Sequence, residues 1–271
     1  MEFNVLLLFD NNGREYVARI SSAARQHGAR HKLRISHENV YETNRTVLDA
    51  IAQPGIDGLI LTPPVSDDRD VLFEIGKRNI PAVRIAPLLD LSRNDIVTMD
   101  EFDAARSIVE HLIENGHKRI GFIRGPRTHL VSIRRYNGYA AAVGKISART
   151  DPALLTEGDF SRQSGRDLAP KLFAAGATAI FASNDEMAAG VIDAAGVAGL
   201  TVPRDLSVVG FDDNAIAKTT RPGLTTVRQP LEEMTEQACR LMGERLRNPG
   251  RQNDQVDVPF EIMKRGSVQA I

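Results

Sequence analysis

Cysteine is nearly absent. Cys239 is alone among 271 residues, so no disulfide can form within the chain. It falls in an amphipathic helical pattern and reads as a reduced thiol of the core or its flank. An excess of charge of either sign is also missing. The 34 Lys and Arg stand against 35 Asp and Glu, for a formal net charge of -1. A chain that itself wrapped nucleic acid would show a basic surplus. Apolar runs fall far short of the ~20 residues that cross a bilayer. Met1-Glu2-Phe3-Asn4 leads straight into a strand, with no basic region, apolar run or small-residue cleavage site before it. No export signal or membrane partner is expected, and a cytoplasmic location follows. No G-x-G-x-x-G follows the first strand, and neither G-x-x-x-x-G-K-[ST] nor G-x-S-x-G occurs. A dinucleotide site, a P-loop and a hydrolase elbow are therefore unsupported. His27 and His31 flank Gly28 with no Glu or Cys partner nearby, which is not a zinc pattern. Asp67-Asp68 and Asp212-Asp213 are adjacent, and adjacency alone makes no catalytic dyad. No catalytic residue, metal or cofactor is expected.

What is present is alternation. Hydrophobic residues make up 42%, enough for a packed core and against wholesale disorder. Short apolar runs read as strands at Val5–Phe9, Lys32–Ser36, Gly58–Leu61, Ala82–Ile85, Arg119–Ile123, Leu154–Glu157, Ala179–Ala182 and Ser207–Phe211. Helical periodicity separates most of them, at Tyr16–Gln26, Arg45–Ala52, Val71–Lys77, Phe102–Glu114, Ile133–Val143, Arg166–Ala174 and Met187–Ala198. This order implies α/β architecture with parallel sheets covered on both faces. The series runs twice. Four strand–helix units reach about Pro87, a polar connection follows at Leu89–Asn94, and a second series begins near Arg119. Two doubly wound lobes are expected rather than one eight-stranded sheet. The tail departs from the alternation, with a strand at Thr225–Arg228, a helix at Leu231–Arg247, a break at Asn248-Pro249-Gly250 and a strand at Pro259–Lys264. Leu231, Met234, Ala238, Leu241 and Met242 share one face of that helix, and Pro230 suits its first turn. A helix placed so late suggests that the chain recrosses to the first lobe, which is hinge architecture.

Polar groups gather after the strands. Asp10-Asn11-Asn12 follows the first. Arg84 lies within Ala82–Ile85. Gly125-Pro126 leads to His129, Ser132 and Arg135. Asp159-Phe160, Asn184 and Asp212 follow the last three strands of the second series. In an open parallel sheet, ligands sit outside the carboxyl ends of the strands. Two such edges facing each other would make a polar cleft with an aromatic wall. Asp and Asn oxygens would accept from ligand hydroxyls, Arg would donate through its fork, and a ring would stack on a sugar or a base. Each residue also has a plainer role open to it. Ser183-Asn184-Asp185-Glu186 fits a capping box made by Ser183 and Glu186. Asp212 and Asp213 can shape a turn. Arg135 can be a solvated neighbour of Arg134, while Phe160 and Tyr16 can be packing residues. Arg84, a charge inside an apolar strand, must be paired or must face a cleft.

Four ordered motifs carry a resemblance. They are GHKRIGFIRGP (Gly116–Pro126), SIRRYNGY from Ser132 to Tyr139, GDFS from Gly158 to Ser161, and the stretch from Ala179 through SNDEMAAG and VVGFDD to PGLTTVRQP. From about Val5 to Ser267 the chain resembles the effector region of lactose-repressor-type (LacI/GalR) transcription regulators. That resemblance implies two periplasmic-binding-protein-like lobes joined by three crossovers, residues 1–99 plus 228–252 and residues 100–227 plus 253–271. It implies no enzymatic activity and a homodimer that binds a small polar effector, a sugar first, in the interlobe cleft. By position, Arg135 matches the family's effector-binding arginine, Phe160 its stacking aromatic, Asn184 its polar cleft residue and Asp212 its cleft carboxylate. Tyr16 matches a pocket position of the first lobe. Where some members carry a ligand-binding acid this chain has Ala86, and Arg84 stands in for part of that role. Operator DNA would be read by a helix-turn-helix missing here, since residues 1–15 supply only a strand and a turn. The motif also implies that Arg135→Ala removes ligand binding and leaves the fold intact. A solute-binding protein of the same fold, and an α/β enzyme acting on a sugar or nucleotide, are the alternatives.

Overall fold

Every second residue along β1 (Phe3–Phe9) faces the same side, and both sides are covered. Leu6 and Leu8 pack with Leu59 and Leu61 of β3 (Gly58–Leu61) against helices α2 (Val47–Ile51) and α3 (Arg69–Arg78). The opposite face meets α1 (Arg14–Gly28) and α9 (Leu231–Arg247), which pack on each other. Strands buried on both faces need continuous apolar runs, which is why this sequence shows runs rather than alternation. The computed structural model describes residues 2–43, 45–146 and 150–271. Met1, where the N-terminal pattern begins, lies outside them.

The chain divides into two compact units, Met1–Met99 with Pro230–Pro259, and Asp100–Gln229 with Phe260–Ile271, so it passes between them three times. The first unit holds a sheet in the order β11-β5-β4-β3-β1-β2, where β2 is Leu33–Asn39, β4 is Ala82–Ile85, β5 is Asp95–Thr98 and β11 is Gln255–Asp257. All its pairings are parallel. The second unit's sheet runs β12-β10-β9-β8-β6-β7. Its strands are β6 (Ile120–Arg124), β7 (Leu155–Glu157), β8 (Ala179–Ala182), β9 (Ser207–Asp212), β10 (Thr225–Arg228) and β12 (Glu261–Met263). Only β12 pairs antiparallel. One face of this sheet carries α4 (Glu101–Glu114) and α5 (Leu130–Val143), with Phe122 stacked on Tyr139 at 4.8 Å. The other face packs α6 (Arg162–Ala174) and α7 (Asp185–Val197) through Ile123, Ile180, Leu172 and Val191. A short helix, α8 (Ala215–Thr219), follows β9.

Several expectations move. The first series does not contain four strand–helix units, because β4 leads into a loop and then β5 rather than a helix. Residues 253–257 stay with the first unit because β11 pairs with β5, while Arg228 pairs with Asp212 and stays with the second. The first segment of β5 is held by charge. Asp95 is buried and accepts from Arg245 Nε at 3.0 Å and from the Asp254 amide at 2.8 Å, with Arg251 Nη2 at 2.8 Å. Cys239 is buried, and burial pushes its thiol up to about 12, so it is unreactive packing. In the GHKRIGF motif, His117 is a core residue. Its Nε2 faces the Gln269 carbonyl at 3.2 Å and Ser207 Oγ at 2.9 Å, which fastens the C-terminal tail.

Arg84 resolves its two alternatives in favour of pairing. Its side chain is 0% exposed, and all five donors have acceptors within the first unit. Nε donates to the Ser66 carbonyl, Nη1 to those of Asp90 and Arg93, and Nη2 to Leu89 and to Asp67 Oδ1. Asp67 in turn accepts the amides of Leu88 and Leu89. No donor is left for a ligand, so the expected effector role gives way to shaping the loop 86–94. In that loop Ala86, Asp90 and Asn94 hold left-handed φ values of 48°, 48° and 64°. Arg84→Ala would take the cation from Asp67, which keeps the Leu88 and Leu89 amides, and would orphan four carbonyls. A loss of about 3–5 kcal/mol, or roughly 10 °C in melting temperature, is expected. Arg84→Lys, with three donors, should recover only part of it. Melting of Arg84→Ala within a degree or two of the parent would contradict this account.

Candidate functional site at the carboxyl edge of the second sheet

The second sheet has the strand order 2-1-3-4-5 for its parallel strands, which reverses direction between β6 and β8. A crevice outside the carboxyl ends at such a reversal is where open α/β sheets bind ligands. Four of the expected site residues meet there. Arg135 is only 4% exposed, near the start of α5. Its Nε and Nη2 donate to both carboxylate oxygens of Glu101, at 2.7 and 3.2 Å, and Nη1 donates to the Ser183 carbonyl at 2.6 Å. The guanidinium lies 3.7 Å above the Phe211 ring, and Nη1 is 3.9 Å from Asp212 Oδ1. Arg134 beside it is exposed, so the solvated alternative holds for Arg134 and not for Arg135.

The approach of α5 to α4 depends on Gly138. A Cβ at that position would collide with the Phe102 carbonyl and crowd the Arg106 amide. Gly138 is one turn after Arg135 on the same face. Removing its side chain therefore lets α5 lie on the first turn of α4, where Glu101 waits as the first helical residue. The negative charge of Glu101 also suits that helix N-terminus. Glu101 itself is 3% exposed. No periodicity signals this acid. The only hint is a carboxylate opening a helix behind the N-cap Asp100, whose side chain accepts from the Asp103 amide.

Asn184 connects the next pair of strands. It is the N-cap of α7, accepting the Met187 amide at 2.9 Å, while its Nδ2 donates to the Phe160 carbonyl at 2.9 Å. This corrects the capping box expected of Ser183 and Glu186. Ser183 Oγ instead donates to the Ile123 carbonyl on β6, because Ser183 still belongs to the sheet edge. Phe160 adopts φ 68°, uncommon for a bulky residue, and its ring stands edge-on to His129 at 5.6 Å. The ring lies in a niche that exists because residue 125 is glycine, since a Cβ there would strike it. Asp212 ends β9 and Asp213 follows it, at φ 120° and 55°, and they carry charge to the carboxyl edge of the sheet. Asp212 accepts from Gln229 Nε2 at 2.5 Å, and Asp213 pairs with Arg265. Backbone strain of this kind, about 1–3 kcal/mol per residue, gathers at functional sites. Tyr16 lies half-buried in the first turn of α1 and belongs to the first unit, as does Arg84.

Asp185 escaped notice in the sequence, where it passed as part of a cap. It is buried at the start of α7, accepting from Thr226 Oγ1 at 2.6 Å and from the Asn214 amide at 2.8 Å. Burial pushes its carboxyl well above the ordinary carboxylate range, and the charge of Asp212 adds to the push. A carboxyl whose folded pKa exceeds its unfolded value stabilises the fold fully below ~3.9 and loses that contribution as pH rises through the folded value. Asp185→Asn keeps an acceptor for Asn214 and a donor toward Thr226. The melting temperature of the variant minus that of the parent should therefore grow as pH is raised from about 4 to about 8. A difference that stays constant over that range would contradict the assignment.

Comparison with known proteins bears on the family and the fold. Residues 109–268 match the periplasmic binding protein-like domain family. The transcriptional regulator DegA of Bacillus subtilis is 33% identical over 224 residues, covering 82% of this chain and 66% of that protein. The transcriptional repressor CytR of Escherichia coli is 32% identical over 242 residues, covering 87% of this chain and 69% of that protein. Among solved structures, a LacI family transcriptional regulator from Enterococcus faecium with bound ribose superposes with a TM-score of 0.87 over 99% of both chains, at 24% identity. Among the described residues, no helix is long and apolar enough to cross a membrane. The chain belongs to the LacI family of transcriptional regulators and comprises the periplasmic-binding-protein-like effector domain of that family.

Proposed function

We propose that this chain is the sensing and dimerisation part of a cytoplasmic, bacterial DNA-binding regulator, and that its effector is a small polar metabolite, a sugar first. The observation that carries the proposal is the continuous polar path from Phe160 through Asn184 and Ser183 to Arg135 and Asp212. It combines a ring, a guanidinium and a carboxylate at the edge where the fold takes ligands. The ribose held by the similar Enterococcus faecium regulator supports a sugar. In this proposal Arg135, Asp212, Phe160 and Asn184 contact the effector. Arg84 takes no part.

The effector would act by binding one arrangement of the two units better than another, since only differential affinity shifts an equilibrium. In a homodimer carrying DNA-reading modules, that shift would set their spacing against a two-fold operator. The path offers donors, acceptors and a ring, the groups that recognition of a small polar ligand uses.

Arg135→Ala is a poorer probe than the motif suggests. It would leave Glu101 buried without its cation, at about 3–5 kcal/mol. Exchanging both partners, Glu101→Gln with Arg135→Gln, removes the charges together and keeps two side chains that can bond each other. A thermal-shift screen against sugars and nucleosides should give a hit in the parent that this double variant and Asp212→Asn both lose. A hit that survives both substitutions would place the effector elsewhere. Light scattering should give twice the 29.7 kDa chain mass, and a monomer would contradict the dimer.

A further inference from the structure

One hydroxyl at the carboxyl edge of the second sheet has nothing to bond. Ser132 lies in the first turn of α5, three residues before Arg135, and is 1% exposed. Among the described residues its Oγ has no hydrogen-bond partner. Native proteins pair nearly all buried hydroxyls, because an unpaired one costs stability. The Phe160 ring lies beside it. A Cβ added at Gly125 would sit 2.6 Å from Ser132 Oγ and would strike the Phe160 ring, so hydroxyl and ring share the niche over Gly125. The backbone around Phe160 is pinned, since its carbonyl accepts from Asn184 Nδ2 and the next amide, of Ser161, donates to Asp159 Oδ1. The ring itself is half-buried and is held by packing and by its edge contact with His129. It can take another rotamer without moving the loop, and the niche then opens onto the carboxyl edge.

We infer that Ser132 is a further effector-binding residue: its hydroxyl bonds a hydroxyl or ring oxygen of the effector when the Phe160 ring turns out of the niche. The inference rests on the proposal that the effector binds at this edge. A serine hydroxyl donates to one ligand atom and accepts from another, which suits a polyhydroxyl ligand and does nothing for an apolar one. The hydroxyl has no bond within the protein to give up, so pairing it with a ligand relieves a cost that the fold otherwise carries. The same motion turns the ring toward the ligand, where its face can stack on the apolar side of a sugar. A site built to bond a hydroxyl rejects analogues that lack it, and Ser132 therefore sets which ligand hydroxyls are required.

Ser132→Ala tests this on the intact chain in two ways. With no ligand added, removing a hydroxyl that bonds nothing should raise the melting temperature by about 3 °C or more, beyond the degree or so that the helix propensity of alanine gives. A rise no larger than that degree, or a fall, would mean that the hydroxyl is already satisfied and would overturn the inference. The second arm is titration by calorimetry with ribose, glucose and adenosine. A member that binds the parent should bind Ser132→Ala about tenfold more weakly. Stability and affinity would then move in opposite directions, which a purely structural role does not produce. A ligand that binds Ser132→Ala as tightly as the parent, yet loses affinity in Asp212→Asn, would overturn the inference and leave the effector reading of the site standing. Ligands that keep their affinity both in Asp212→Asn and in Glu101→Gln with Arg135→Gln would sink that reading itself. If no member of the panel binds, the melting temperatures decide the question.

Discussion

A guanidinium taken out of water keeps its charge, so each of its donors needs an acceptor where the solvent cannot reach. That constraint organises both units. In the first, Arg84 gathers four backbone carbonyls and Asp67, and the loop after β4 takes its shape from those bonds. In the second, Arg135 is held by Glu101, the Ser183 carbonyl and the face of Phe211. The two arginines are alike in burial and differ in what surrounds them. Arg84 is closed off by peptide groups. Arg135 stands at a strand edge beside side chains that can also bond a ligand.

The second site is assembled by close approach rather than by a single loop. Gly138 lets α5 reach the first turn of α4, which brings a carboxylate from one helix onto an arginine of the next. Gly125 leaves the space that the Phe160 ring fills. Asn184 ties the backbone of Phe160 to the start of α7, so a left-handed residue that would otherwise relax is held in place. Two short polar links, from Ser183 Oγ to the Ile123 carbonyl and from Asn184 Nδ2 to the Phe160 carbonyl, connect β6, β7 and β8 at their carboxyl ends. An enlarged side chain at position 125 or 138 would reach the site through packing, without touching a ligand.

Much of this architecture was legible in the sequence, and the parts that were not share a cause. Gly58–Leu61, Ala82–Ile85 and Ala179–Ala182 were visible to the residue, because a strand covered on both faces tends to be a short apolar run. β5 and β11 were invisible. Asp95 opens one and Gln255–Asp257 is mostly polar, so neither carries an apolar run, and it is the ion pairs of Asp95 that hold that edge. Arg84 was legible as a charge needing a partner but not as one whose partners are carbonyls, since backbone acceptors leave no mark in sequence. The one sign of Glu101 was a carboxylate at the start of a helix. Its role arises from a helix crossing set by Gly138, and such a crossing joins residues 34 positions apart.

Arg135 has a structural role whatever it binds. The bonds that orient its guanidinium, to Glu101 and to the Ser183 carbonyl, are the bonds that would be lost if it were removed. Burial of Glu101 against it makes the pair expensive to break and inexpensive to neutralise as a whole. A mutation that weakens ligand response at Arg135 alone would therefore also lower stability, and the two effects would track each other. At Asp212, whose carboxylate is partly exposed and shares its acceptors with Gln229 and Asn214, they should separate. The contrast follows from burial: where water can replace a lost partner the fold tolerates the change, and where it cannot the fold and the response fail together.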